Sequence, residues 1–174
     1  MSIHRVKLKP LTEELFRPYG TLLAMPMEPD EKTVYSEGFT FFRNRTTFQC
    51  DDGKLGIGIS HILKKPFRAG SMERHLTTDE LNVPLDGDMV AIFAKPKTTD
   101  ILEIPNYEEV DAFILRQGQA VVIDKGVWHW CPMPVEHDTA MLCSLCHDLL
   151  DYDDLIIRGF HDDMIIEIAM EANG

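Results

Sequence analysis

The stretch that decides the fold is GSMERHLTTDELNVPLDG, residues 70–87. In an extended strand Glu73 and His75 are two residues apart and therefore point to the same face. A short turn rich in threonine follows, and Glu80 opens the next run, so antiparallel pairing can return its carboxylate to that face. The stretch therefore predicts two paired strands that bring an imidazole and two carboxylates together.

A second informative stretch is GQAVVIDKGVWHW, residues 118–130. Gly118 and Gly126 bracket a mostly apolar run, and His129 follows the second glycine closely. A barrel that closes on itself could bring this imidazole opposite the groups of the first stretch. We therefore predict a β-barrel whose mouth is lined by Glu73, His75, Glu80 and His129.

The remainder of the chain supports an all-β fold. Short apolar or alternating runs separated by turn residues are typical of a β-sandwich or β-barrel. The predicted strands are Thr21–Met25, Thr40–Phe48, Leu55–Leu63, Phe67–Glu73, Glu80–Pro84, Met89–Ala94, Ala112–Leu115, Gln119–Ile123 and Thr139–Cys146. On the third of these strands His61 shares a face with Leu55, Ile57 and Ile59, so its imidazole could point into the barrel.

The length of 174 residues fits one domain, and we predict a single domain over 1–174. A short helix or turn is expected over 1–20, with Thr12 as a candidate helix cap. The barrel is expected over 21–147. The acidic tail over 148–174 could form a strand or a helix, and its periodicity does not decide between them.

Charge and composition exclude several classes of partner. The net charge is −12 and the pI is near 4.9. No cluster of lysine and arginine beyond the short Lys64-Lys65 pair offsets this charge, so nucleic acid is a poor partner. No run approaches the roughly 20 apolar residues that span a bilayer, which predicts a cytoplasmic protein without a membrane partner. Four cysteines are too sparse for a disulfide framework, so reduced thiols are expected.

The spacing of the first stretch resembles the first motif of the cupin superfamily. Glu73 stands where that motif has its first histidine, and His75, Glu80 and Gly87 match the positions that follow. The resemblance implies a cupin-type double-stranded β-helix, a jelly-roll barrel, here with short helical segments at the termini.

The second stretch resembles the second cupin motif. Gly118, Gly126 and His129 match it, whereas Asp124 replaces its proline and Met133 replaces its terminal asparagine. Two histidines and two carboxylates in an open site suit Zn, Mn, Ni or Fe. A divalent metal held by Glu73, His75, Glu80 and His129 is therefore one interpretation, and a site without metal is the other.

A closer resemblance, to the ureidoglycolate lyase family, covers most of the chain. The elements that carry it are FRPYG at 16–20, MERH at 72–75 followed by Pro84-Leu85, and GQ at 118–119 leading to VWH at 127–129. The resemblance implies an enzyme of allantoin breakdown that cleaves ureidoglycolate to glyoxylate and urea. The family tends to have Ser-Gln where this chain has Asp79-Glu80, and commonly a histidine where it has Trp130, so a paralogue with another small substrate stays open.

Such a cleavage needs a base for the carbinol hydroxyl and an acid for the departing ureido nitrogen. Glu73, His75 and His129 are the candidate catalytic residues, because a carboxylate beside an imidazole can divide these roles. The candidate substrate-binding residues are Arg43, Arg45, Arg68, Trp128 and Tyr19. Arg74 ranks lower because strand alternation puts it on the outer face.

Two other functions remain open at this stage. One is a metal-dependent cupin enzyme, an isomerase or dioxygenase acting on another small polar carboxylate, and the other is a non-catalytic cupin that binds a small ligand. A homodimer is expected in each case, because such barrels often pair through edge strands.

Overall fold

The computed structural model describes residues 2–51, 53–146 and 154–170. Within these ranges one short α-helix, α1, covers Glu13–Phe16, and two 3₁₀ helices cover Tyr107–Glu109 and His161–Asp163. In chain order the described strands are β1 Ile3–Pro10, β2 Gly20–Leu23, β3 Thr33–Ser36, β4 Phe39–Phe42, β5 Leu55–Ile62, β6 Arg68–Ala69, β7 Ser71–Arg74, β8 Glu80–Pro84, β9 Met89–Ala94, β10 Asp111–Leu115, β11 Ala120–Ile123, β12 Trp128–His129, β13 Met133–Pro134, β14 Thr139–Cys146, β15 Ile156–Gly159 and β16 Ile165–Ala169.

These strands form two large sheets and a separate hairpin. Over the described ranges, the first sheet runs β15-β7-β12-β9-β10-β1-β16-β6 with β13 also on β9, and the second runs β2-β11-β8-β14-β5. One apolar cluster unites Phe93 and Phe113 of the first sheet with Val121 and Ile123 of the second. The two sheets therefore pack face to face, and their inner faces enclose the space where the first and second stretches meet.

The predicted barrel strands agree well with the structure. Glu80–Pro84, Met89–Ala94 and Thr139–Cys146 have the predicted bounds. The predicted strand over 40–48 ends at Phe42, where the chain turns through Asn44 with a φ of +54°. Such a left-handed backbone ends a strand, and no alternation pattern reveals it.

The expectation for the N-terminal segment was only partly right. The helix is present, and the Thr12 hydroxyl accepts a hydrogen bond from the backbone N–H of Leu15 at 3.2 Å. Residues Ile3–Pro10, however, form β1, which lies between β10 and β16 and is parallel to both. Charged and apolar residues alternate in this segment, and its pairing partners are distant in sequence. A local pattern therefore predicts this strand only weakly.

The tail, left open between strand and helix, forms strands where it is described. β15 pairs antiparallel with β7, and β16 pairs parallel with β1. Residues 147–153 and 171–174 lie outside the described ranges. Because β15 pairs with β7, this part of the tail stabilises the strand that carries Glu73.

The expectation that His61 points into the barrel is wrong. Register sets Cys143 opposite Gly58 and Met141 opposite Ser60, so the small residues of β5 occupy the inner face. His61 belongs to the other set, together with Ile57 at 72% and Ile59 at 69% exposure. Their face is the outer one because bulky Met141 already fills the interior at this level.

Two further sequence expectations concern the cysteines and the membrane. Cys50 is disulfide-bonded, contrary to the expectation of reduced thiols, whereas Cys131 and Cys143 are free. The number of cysteines in a sequence does not show which sulfur atoms the fold brings together. The expectation of a reduced thiol was therefore wrong for Cys50. No helix in the described parts of the chain is long and apolar enough to cross a membrane.

Candidate active site

The structure brings His75, Glu80 and His129 together between the two sheets. The Nε2 atom of His129 lies 2.8 Å from Glu80 Oε2, and the Nε2 atom of His75 lies 3.4 Å from the same oxygen. The two imidazole rings are 5.6 Å apart between centroids. All three side chains are buried. Glu80 is therefore the centre of a buried triad.

Glu73 completes the group on the same side. Its residue lies directly opposite His129 where β7 pairs with β12, so both side chains share the inner face of the first sheet. Glu73 is only half-buried. The four residues predicted to line the mouth are thus neighbours, with Glu73 the most accessible.

The route by which Glu80 arrives differs from the predicted hairpin. β7 belongs to the first sheet and β8 to the second, so the two strands do not pair. The turn over 76–79 instead carries the chain across from one sheet to the other. Alternation alone predicts that Glu80 returns to the same face, but it cannot distinguish a hairpin from a crossing between facing sheets.

Buried carboxylates hold this crossing turn in place. Asp79 accepts hydrogen bonds from the backbone N–H groups of Gln49 at 2.7 Å and Lys125 at 3.0 Å. Asp154 accepts from the backbone N–H groups of Leu76 at 2.7 Å and Thr77 at 2.9 Å. Asp79 thus joins the turn to the second motif, and Glu80 is positioned by the residue that precedes it.

Within the triad His129 and Glu80 form an ion pair, and the imidazole of His75 lies beside the same carboxylate. Burial alone would lower the pKa of His129, but the charge of Glu80 outweighs it and raises that pKa to about 9. Burial would raise the pKa of Glu80, yet His129 and then His75 hold it well below its usual range. The His129 Nδ1 atom donates to the carbonyl of Val127 at 2.9 Å, which directs Nε2 toward Glu80.

Glu73 has the opposite electrostatic character. Burial raises the pKa of its carboxyl, and the neighbouring Glu80 carboxylate adds to this, although His129 and His75 oppose it. The site therefore holds one carboxylate that stays ionised and one that can carry a proton nearer neutral pH. Such a division of two carboxyl groups is a common basis of acid–base catalysis.

The ion pair predicts how stability depends on pH in protein treated with a chelator. His129 keeps its proton in the folded state up to about pH 9 but releases it near 6.5 in the unfolded state. The unfolded protein then binds fewer protons between these values, so the free energy of unfolding should fall as pH rises from 6.5 to 9. Urea denaturation at several pH values measures this fall. His129→Gln should flatten the profile in that window, and an unchanged slope in this variant would contradict the ion pair.

The predicted arginines lie elsewhere. Arg68 donates to Glu167 at 2.8 Å, and Arg45 pairs with Asp30 at 2.9 Å. Arg43 is exposed in the turn after β4. Spacing alone could not place these side chains, because each lies in a segment whose course depends on distant pairing partners.

Tyr19 and Trp128 lie in packed positions. The Tyr19 hydroxyl donates to Asp111 at 2.7 Å, and burial raises its pKa. Trp128 is fully buried on the outer face of the first sheet, where the guanidinium of Arg74 lies 4.3 Å from the ring centroid. The structure thus supports packing rather than substrate contact for both aromatic residues.

Sequence reasoning missed two thiols beside the triad. The Cys143 sulfur lies 3.6 Å from Glu80 Oε1, on the oxygen that the histidines leave free. Cys131 is partly buried in the same small apolar cluster as Cys143. Strand alternation over 139–146 could have indicated this position. It puts Cys143 on the inner face of the second sheet, where it pairs with Gly58 of β5.

The triad also fits a divalent metal ion. One ligand atom from each of His75, Glu80 and His129 lies within 4.8 Å of the others. The Nδ1–H bond of His129 to a carbonyl is the outer contact that metal-binding histidines commonly make, and two imidazoles with a carboxylate suit Zn, Mn, Ni or Fe. Glu73 lies outside this group of three.

The paired sheets and the residues that both motifs place between them define a cupin-type β-barrel. Residues 3–155 match the family described as Ureidoglycolate lyase, and the chain belongs to that family.

Individual relatives are distant. Ureidoglycolate lyase of Pseudomonas syringae pv. syringae is 26% identical over 139 residues, which cover 77% of this chain and 78% of that protein. The enzyme of the same name from Pseudomonas savastanoi pv. phaseolicola is 27% identical over 139 residues, with the same coverage. Among solved structures, a dTDP sugar isomerase from Desulfovibrio desulfuricans has a TM-score of 0.42 at 13% identity and covers 89% of this chain and 88% of its own.

Proposed function

We propose that this protein is a ureidoglycolate lyase that cleaves its substrate to glyoxylate and urea by acid–base chemistry in the barrel mouth. The observation that carries the proposal is the buried triad of His75, Glu80 and His129 beside a half-buried Glu73, in a chain of the ureidoglycolate lyase family. The substrate is a small molecule, and a mouth between two packed sheets is the scale of site that holds one.

The reaction breaks the bond between the carbinol carbon and the ureido nitrogen. A base takes the proton of the carbinol hydroxyl, the oxygen forms the carbonyl of glyoxylate, and the electrons of the C–N bond pass to nitrogen, which an acid protonates. His75 suits the base, because its imidazole faces the mouth beside the Glu80 carboxylate. Glu73 suits the acid, because burial raises its pKa.

The remaining two residues of the site supply fixed charge. His129 is held protonated by Glu80, and both of its N–H groups are already bonded, to Val127 and Glu80. It therefore serves as a poor base, and its positive charge favours a developing oxyanion. The same triad of His75, Glu80 and His129 would hold a divalent cation, which when bound would supply Lewis-acid polarisation of a substrate oxygen. Glu73, outside that triad, keeps its role toward the departing nitrogen in either form.

A second candidate is a metal-dependent enzyme acting on another small polar carboxylate. The triad of potential ligands favours it, and Glu80 adds a negative charge where the family tends to have glutamine. Stoichiometric metal that survives purification, together with no glyoxylate from ureidoglycolate, would distinguish this candidate from the first.

Assembly and location follow from the same proposal. Among the residues that the structure describes, the strand β5 lies at an edge of the second sheet and exposes Leu55, Ile57 and Ile59. An exposed apolar edge strand is a surface that proteins usually cover. We therefore propose that the protein forms a homodimer. We also propose that it acts in the cytoplasm.

A coupled glyoxylate-release assay on ureidoglycolate tests the function. We expect glyoxylate and urea in equal amounts, measured on metal-stripped and metal-reconstituted protein. His75→Ala should lower kcat by about a hundredfold, the lower part of the range for loss of a general base. No glyoxylate under any of these conditions would overturn the lyase proposal. Full activity in His75→Ala would instead overturn the assignment of the base.

A further inference from the structure

An amide side chain on the inner face of the second sheet has an unsatisfied hydrogen-bond acceptor. Asn82 follows Glu80 by two residues on β8, so the two side chains share that face. Asn82 is 2% exposed, and its carbonyl oxygen Oδ1 accepts no hydrogen bond from the residues that the structure describes. Buried polar atoms almost always have a partner, because the loss of water is costly. A ligand that donates a hydrogen bond would supply the partner that Oδ1 lacks.

Strand register sets Asn82 beside the triad. Asn82 lies directly opposite Cys143 where β8 pairs with β14, and side chains in such a pair share a face, with their Cβ atoms about 5 Å apart. The Cys143 thiol in turn donates to Glu80 Oε1 at 3.6 Å. Cys143 is therefore a neighbour of both Asn82 and Glu80, and the amide lies within the length of a small substrate from the triad.

The inner face has room next to these side chains. On the far side of Cys143, the residue opposite it is Gly58 of β5. A Cβ atom added to Gly58 would meet no described atom within 4 Å. Gly58 and Ser60 are both exposed, so solvent reaches this part of the face. The row of residues that leads to Asn82 is therefore open to a small molecule at its β5 end.

The chemistry of the unsatisfied acceptor selects among the groups of the substrate. A carboxylate carries acceptors alone, so it cannot satisfy Oδ1 of Asn82. The carbinol hydroxyl gives its proton to the base in the proposed reaction. The ureido group is planar, carries N–H donors and a carbonyl oxygen, and can pair with both ends of an asparagine amide. It is therefore the substrate group that matches Asn82.

We propose that Asn82 is a specificity-determining residue that binds the ureido group of the substrate, with Oδ1 accepting a hydrogen bond from a ureido N–H. Glu73, on the facing sheet, then approaches the departing nitrogen from the other side. The inference rests on the proposed function, because it assigns the ureido group of the same substrate. A site built to bond an N–H group rejects analogues that lack it, because its own buried polar atom is then left unpaired.

Two ligands that cannot undergo the cleavage test this assignment on the full chain. Ureidoacetate carries the ureido group and the carboxylate of the substrate but no carbinol hydroxyl, and N-acetylglycine has a methyl group in place of its terminal amino group. Isothermal titration calorimetry should show that the wild type binds ureidoacetate about tenfold more tightly, the equivalent of one buried hydrogen bond. Asn82→Leu should abolish this preference, whereas a purely structural change would weaken both ligands equally.

Asn106→Leu is the matched control, because the Asn106 side chain accepts from the backbone N–H of Glu108 at 3.1 Å at the start of a 3₁₀ helix. The preference for ureidoacetate should persist in this variant. Asn82→Ala, which adds no bulk to the interior, should lose the preference as Asn82→Leu does. For ureidoglycolate itself, Asn82→Leu should raise KM about tenfold with kcat changed less than about twofold, because the acid and base are intact.

The same measurements separate failure of Asn82 from failure of the lyase proposal. A preference that depends on Asn82, without any release of glyoxylate, supports the ureido site and overturns the lyase. An active lyase whose preference is the same in the wild type and in Asn82→Leu overturns the assignment of Asn82. So does a wild type that shows no preference or does not bind ureidoacetate.

Discussion

Replacement of Glu73 with glutamine is expected to lower kcat for ureidoglycolate cleavage by about a thousandfold, within the range for a general acid or base. The substitution keeps the size and hydrogen-bonding shape of the side chain but removes the transferable proton. Because Glu73 is half-buried beside His129, an isosteric amide should leave the fold intact. KM should change little, since the lost interaction serves the transition state.

Glu167→Gln provides the control for this variant. Glu167 lies on β16, where it pairs with Arg5 and Arg68 on the surface, so the same chemical change there should leave kcat unaltered. Circular dichroism of Glu73→Gln would establish that it folds. If kcat survives in a folded Glu73→Gln, the departing nitrogen takes its proton from another group, and the assignment of the acid is wrong.

Arg74→Met is expected to destabilise the protein by about 3–5 kcal/mol, the typical cost of breaking a buried ion pair by removing one partner. Arg74 is fully buried and donates to Glu103 at 2.6 Å and to the carbonyl of Thr98 at 2.9 Å. It also donates to the carbonyl of Asp100 and stacks on Trp128. Methionine fills part of the volume but leaves the Glu103 carboxylate without its cation, although its hydrogen bonds from Lys97 and Thr98 remain.

Urea denaturation measures this effect as a lower midpoint at constant m-value. Arg68→Met is the matched control, because Arg68 is more than half exposed and its pair with Glu167 is a surface one, worth less than about 1 kcal/mol. Arg74→Lys should be intermediate, since lysine keeps the charge but not the planar fork. A loss below about 1 kcal/mol in Arg74→Met would show that the loop over 98–103 does not depend on this residue.

The role of Arg74 also explains why two motif residues point away from the site. Arg74 lies between Glu73 and His75 in sequence, and Trp128 precedes His129, so strand alternation puts both on the outer face. There they stack on each other across neighbouring strands. The contact ties the strand of Glu73 to the strand of His129, and we expect it to help keep the two inner side chains in register.

How far the sequence predicts this protein depends on the range of the interaction involved. The barrel class and the strands Glu80–Pro84, Met89–Ala94 and Thr139–Cys146 follow from apolar or alternating runs between turn residues, which are a local property of each segment. The convergence of Glu73, His75, Glu80 and His129 also follows, because two spacings restrict those side chains to inner faces. The family was recognisable from the ERH and VWH elements, and the match over 3–155 confirms it.

Other features depend on contacts between distant segments, and only the tertiary structure decided them. Strand pairing put His61 outside the barrel, made β1 a strand and turned the expected hairpin before Glu80 into a crossing between sheets. The charge on His129 depends on its 2.8 Å separation from Glu80, a pair far apart in sequence. Side-chain period indicates which face a residue occupies, but distances and pKa shifts arise only when the sheets pack.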